Sequence, residues 1–156
     1  MKKAALIILV SCVLVISSCT KTSTNQGGTW SFKSSSYTAT TFGKTYSAVT
    51  VSSQTSLYAN NYNTLTISFY NGLPTNNGTF VVKPGVSLDS TNQVAIAVNS
   101  YGVSDTLYQA TGGNGSQTVS VTVADGKINI SGSGIEVANT VTPSDSAIVS
   151  FNLVQP

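Results

Sequence analysis

An all-β fold, either an antiparallel sandwich or a partly closed barrel of about nine or ten short strands, is what this 156-residue chain predicts. Three observations carry it. Apolar residues alternate with period two along almost the whole length, nothing beyond the N-terminal leader shows the 3.6-residue apolar period of a helix, and clusters of Gly, Pro, Asn and Asp separate the alternating runs. Trp30 and Phe32 open the pattern, Leu65, Ile67 and Phe69 continue it in Thr64 to Tyr70, and Phe80 and Val82 lie in Thr79 to Lys83. The run Val94 to Val98 is apolar on both faces, with Ala95 and Ala97 between Val94, Ile96 and Val98, which marks a central or covered strand. Val119, Val121 and Val123 lead through Asp125-Gly126 to Ile128 and Ile130; Asp-Gly between two alternating runs is a two-residue hairpin signal, because a type I′ turn needs positive φ at both central residues. Val149, Phe151 and Leu153 share one face of the closing strand Ala147 to Leu153. Weaker alternation places further strands at Tyr37 to Thr41, Tyr46 to Val51, Thr106 to Ala110 and Ile135 to Val137. Asn71-Gly72-Leu73-Pro74, Asn76-Asn77-Gly78, Lys83-Pro84-Gly85 and Gly112-Gly113-Asn114-Gly115 supply turns between them.

Ahead of this domain stands a leader: Lys2-Lys3, an apolar stretch from Ala4 to Ile16 interrupted only by Ser11, then Ser17-Ser18-Cys19. The stretch is short for a membrane-spanning helix and has the flanks of a secretory signal. Ile16-Ser17-Ser18-Cys19 resembles the lipobox of bacterial lipoproteins, in which the cysteine is diacylated, with palmitate-type chains, and becomes the new N-terminus. Leu9-Val10-Ser11-Cys12 matches the same pattern loosely, but cleavage there would leave an apolar region of only about eight residues. The alternatives are an ordinary signal peptide that leaves Cys19 free and an uncleaved anchor. The organisation expected is a lipoprotein signal peptide over residues 1–18, a lipidated flexible tether over 19–28 and a single all-β domain over 29–156. Lipidation of Cys19 would leave the mature chain no other thiol, and two acyl chains anchor where one holds marginally.

The pieces Gly28-Thr29-Trp30-Ser31-Phe32-Lys33 and Gly43-Lys44-Thr45-Tyr46-Ser47-Ala48, the run from Thr118 to Gly134 and the final hydrophobic strand resemble small β-rich lipoproteins of the Bacteroidota, whose domains mostly carry no assigned function. The likeness is one of pattern and covers most of the mature chain. It implies fold and compartment and brings no catalytic residues.

Charge narrows the function classes. Once Lys2 and Lys3 leave with the leader, Lys21, Lys33, Lys44, Lys83 and Lys127 face Asp89, Asp105, Asp125, Glu136 and Asp145, and the mature side chains sum to zero, with no Arg. Such a surface lacks the cation density for nucleic acid and the polybasic cluster for anionic lipid, so no nucleic-acid partner is expected and the membrane is reached through the lipid anchor. Without His, triads and imidazole metal sites drop out. The five acids lie on separate segments, Ser131-Gly132-Ser133-Gly134 is not a Gly-x-Ser-x-Gly elbow, Gly113-Asn114-Gly115 lacks the third glycine of a phosphate loop, and Asp89-Ser90-Thr91-Asn92 offers calcium one carboxylate. We therefore expect no catalytic site, no cofactor and no metal.

Two sets of candidate positions remain. Asp89-Ser90-Thr91, Asp105-Thr106-Leu107 and Asp145-Ser146-Ala147 are similar to the O-glycosylation motif of exported Bacteroidota proteins, with the sugar on Ser90, Thr106 or Ser146. Among the aromatics, Trp30, Phe32, Phe69, Phe80 and Phe151 fit core positions, whereas Tyr58, Tyr62, Tyr70 and Tyr101 fall off the core faces or in Asn-rich segments and are the candidate ligand-facing residues. The expected function is a lipid-anchored, non-catalytic binding or structural module engaging another protein or assembly of the bacterial envelope; the alternative is a glycan-binding module using the loop tyrosines and asparagines. Thr20 and Lys21 are not the acidic residues that retain lipoproteins at the inner membrane in some bacteria, and no acidic export tag follows, which points to the outer membrane facing the periplasm, with the cell surface as the alternative.

Overall fold

The structure, a computed structural model, describes residues 27–53, 61–102 and 104–156; the signal peptide, Cys19, most of the tether and Tyr58 lie outside the described residues. Eleven strands follow one another: β1 (Gly28–Phe32), β2 (Ser35–Thr38), β3 (Thr41–Lys44), β4 (Ala48–Ser52), β5 (Tyr62–Phe69), β6 (Gly78–Val82), β7 (Gln93–Tyr101), β8 (Thr106–Ala110), β9 (Thr118–Ala124), β10 (Lys127–Asn139) and β11 (Ser146–Val154). The fold is all-β, as expected. Alternation translates directly into burial: Leu65, Ile67 and Phe69 of β5, Val94, Ile96 and Val98 of β7, and Val149, Phe151 and Leu153 of β11 all enter one core cluster.

The pairing order is β2-β1-β11-β10-β9-β6-β7-β5-β4-β3, and β8 bridges β10 to β7. The path bends back on itself because its two ends are neighbours in the chain. β2 and β3 are separated only by Ala39 and Thr40; Ala39 exchanges backbone bonds with Gly27 and Gly28 on one side, and Thr40 N–H donates to Ser52 on the other. The ladders therefore form a partly closed barrel. Every pair is antiparallel except β6 with β7, which run parallel through Val81↔Gln93 and Val82↔Val94. Gly27 and Gly28, the last two positions of the expected tether, belong to this ladder: Gly28 opens β1, and the buried Gly27 bonds Ala39 and Val154.

Three departures from the sequence reading have local causes. The expected strand Tyr37 to Thr41 is two strands, because the chain turns a corner at Ala39 and Thr40 to leave β1 for β4. Tyr46, expected to open the next strand, is 80% exposed in the turn before β4. Ile128, Ile130 and Ile135 to Val137, read as separate strands, share the 13-residue β10. Between Gly132 and Ile135 this strand carries a bulge, three steps on β10 against two on β11, which shifts its inward residues from even numbers to odd so that both halves face the core.

Registers define two ends of the barrel. Gly28 pairs with Leu153 and Phe32 with Val149, so the N-terminal Gly27 emerges where β11 finishes. At the other end of β1 and β11 lie the Lys33-Ser34 turn and the β10–β11 turn, the latter linked to the start of β8 by Thr140 N–H donating to Leu107, while the start of β5 reaches both this end, through Tyr101 of β7, and the Gly27 corner, through Ser52 and Thr40.

Candidate functional site

Two side-chain groupings stand out, one where the start of β5 meets the end of β7 and one at the Lys33-Ser34 turn. The first joins Tyr62 and Tyr101, which open β5 and close β7, 39 positions apart in the chain. They face each other directly in the β5–β7 register, and their rings stack with centroids 4.5 Å apart and planes inclined by 19°. Because β5 sends its odd residues into the core, Tyr62 stands on the outward face beside Thr64, and Tyr101 beside Asn99. Both tyrosines are half-buried. Asn61 lies alongside: a Cβ on Gly102 would come within 2.9 Å of its Oδ1, so the bare glycine makes room for this amide. Asn63 points inward instead and donates from Nδ2 to the Tyr37 hydroxyl at 3.1 Å. The surface so formed is neutral: two phenols, amides and hydroxyls. Tyr70 does not join it, since it follows the far end of β5, roughly 26 Å away at strand spacing.

Of the candidate acceptor positions, Ser146 is exposed at the start of β11. Ser90 is half-buried and donates to Asn92 Oδ1 at 2.7 Å, and Thr106 donates to the Ser104 carbonyl at 3.3 Å.

The second grouping left no mark in the sequence. Tyr108 of β8 is 3% exposed, yet its hydroxyl donates to Asp145 Oδ2 and accepts from Lys33 Nζ at 2.5 Å. Lys33 Nζ also pairs with Asp145 Oδ1 at 3.0 Å and sits 4.6 Å from the Tyr108 ring centroid, and Asn139 Nδ2 donates to Asp145 Oδ2 at 3.2 Å. Lys33 and Ser34 form the β1–β2 turn with φ of 48° and 64°, a conformation that costs non-glycine residues about 1–2 kcal/mol each. The grouping offsets that strain by tying the turn to β8 and to the β10–β11 connection. Hydrogen bonds from Tyr108 first, then Lys33 and Asn139, lower the Asp145 carboxyl from 3.8 to about 2, while the Tyr108 hydroxyl and Asp145 raise Lys33 above its usual 10.5. A lowered carboxyl stabilises the fold above its ordinary value and loses that contribution as pH falls; a raised lysine stabilises below 10.5 and loses it as pH rises. Denaturation midpoints of the wild type and of Asp145→Asn should therefore differ at pH 5 and converge toward pH 2. A gap that stays constant over that range would remove the carboxylate from the stability balance.

Both partners of the pair are partly exposed, 45% for Lys33 and 37% for Asp145. They tie the β1–β2 turn to β8 and to the β10–β11 connection. Among the described residues no three His, Cys, Asp or Glu side chains converge to hold a metal, and no helix is long and apolar enough to cross a membrane. No family model, no curated protein and no solved structure matches this chain.

Proposed function

We propose that this protein is a lipid-anchored, non-catalytic module of the bacterial envelope, held through Cys19, that engages another envelope protein or assembly with the barrel end carrying Tyr62 and Tyr101. The observation that supports the reading is the stacked pair itself, two half-buried rings on an outward sheet face. Aromatic rings with a polar tip bury large areas at small entropic cost, which is what a recognition surface requires. The compartment that goes with this reading is the outer membrane facing the periplasm, with the cell surface as the second choice. On the same reading Ser146 is the acceptor best exposed for a sugar.

The test is site-specific photocrosslinking of the native lipidated protein in cells. A photoreactive residue at Tyr101 should give one dominant stoichiometric adduct, and the same group at Thr122, exposed on β9, should give none. Equal labelling from both positions, or none from either, ends the protein-partner reading. A second reading, recognition of a neutral glycan, is favoured by the amides of Asn61 and Asn99 beside the rings. Its outcome is retention on envelope polysaccharide that disappears in a Tyr62→Ala, Tyr101→Ala double variant with unchanged melting behaviour.

A further inference from the structure

A cleft of about 320 Å³ opens on the side of the barrel, away from the tyrosine pair, between the β6–β7 connection and the segment that leads from β8 to β9. Its walls are fixed by the backbone. Lys83 N–H donates to Val94, Val82 N–H to Gln117 and Gly85 N–H to Ala110, and a Cβ on Gly112 would strike Pro84 Cδ at 2.8 Å, so the two connections touch. The cleft is thus built before any ligand arrives.

Its lining is rich in donors. Lys83 is half-buried there and has no ion-pair partner among the described residues. Gln93 Oε1 accepts the backbone N–H of Asp89 at 3.0 Å, a group that can only donate, and Asn92 Oδ1 accepts from Ser90 Oγ at 2.7 Å. Both side-chain carbonyls are occupied, which leaves both NH₂ groups as the free ends of those amides. Asn114 adds a third amide. No carboxylate lines the space. Asp89 is exposed on the neighbouring loop, and the Glu136 carboxylate, beside the cleft, accepts the Thr111 hydroxyl at 3.3 Å.

Lys83 and the amides of Asn92 and Gln93, with no acid among the lining residues, suit a negative ligand; a volume at the low end of small-molecule pockets, roughly 300–1,000 Å³, limits it to monosaccharide size. We propose that this cleft binds the carboxylate of a hydroxylated acid of that size, such as a uronic acid unit, with Lys83 paired to the carboxylate and Asn92, Gln93 and Asn114 meeting its oxygens. The site is independent of the tyrosine end and of the lipid anchor.

The mature protein in detergent is titrated calorimetrically with D-glucuronate, with D-glucose and with inorganic phosphate. Saturable binding of glucuronate, none of glucose, and a loss of roughly tenfold or more in Lys83→Gln support the site, provided Lys127→Gln, which removes a lysine outside the cleft, binds like the wild type. Absence of saturation by about 10 mM glucuronate, or equal affinity in Lys83→Gln, overturns it. Phosphate that binds as tightly as glucuronate overturns the sugar-acid assignment, since a small-anion site would then explain the heat. Equal melting temperatures of the two lysine variants separate lost binding from lost structure.

Discussion

Gly28→Ala is expected to lower the unfolding free energy by about 3 kcal/mol, the sum of a strained backbone at roughly 1–3 kcal/mol and a disturbed ladder bond at about 1 kcal/mol. Gly28 holds φ at +96°, and a Cβ there would stand 2.1 Å from the carbonyl oxygen of Asn152 and 2.8 Å from the Leu153 Cα. Both obstacles are backbone, so no rotamer change relieves them, and β1 must shift against β11. Gly115→Ala is the matched control: its φ of +81° is also left-handed, but nothing lies within 4 Å of the added carbon. That variant should cost only the torsional penalty, about 1 kcal/mol. Urea denaturation of the two variants separates the terms; equal losses would mean that the close approach of β1 and β11 does not limit the fold.

Ile96→Ala should cost about 3–4 kcal/mol and lower the melting temperature by roughly 10 °C. Ile96 is fully buried at the middle of β7, opposite Ile67, with Val94 and Val98 on the same face. β7 pairs with β5 along its length and with β6 and β8 on its other edge, so collapse around the lost atoms would have to move three ladders together. Val141→Ala removes a side chain that is 87% exposed and should stay within about 0.5 kcal/mol of the wild type. Thermal unfolding followed by near-ultraviolet circular dichroism measures both, and a melting temperature for Ile96→Ala within a degree or two of the wild type would contradict the core assignment.

What was legible in the chain was whatever repeats or whatever a turn residue announces. The central place of β7 followed from Val94 to Val98 being apolar on both faces, and the β9–β10 hairpin followed from Asp125-Gly126, whose φ values are 52° and 73°. The β1–β2 hairpin uses the same left-handed geometry but builds it from Lys33 and Ser34, residues that carry no turn signature. Its support comes from Tyr108 and Asp145, 75 and 112 positions further along, and no local pattern encodes that meeting. Tyr62 and Tyr101 were each recognisable as misplaced aromatics; their stacking required the β5–β7 register. The cleft around Lys83 was legible only as two turn-rich segments, since its character depends on which end of each amide is already occupied.

Closure of the barrel has a colloidal consequence for a chain in which only 8% of residues are charged. Proteins ordinarily stay apart through like-charge repulsion, and one with a formal net charge of only +2 has little of it. A lipid anchor would make matters worse by confining copies to two dimensions. The strands that end the pairing path, β2 and β3, are four residues each and adjoin one another, so little unpaired backbone is offered to a neighbouring copy. Across the outward face, Thr29, Asn152, Ser131, Ser120 and Thr79 stand in one exposed row over five strands, a band of hydroxyls and one amide that holds water by hydrogen bonds alone. Dispersion of this protein is thus a property of its hydration and of its short edges, and it should change little with ionic strength.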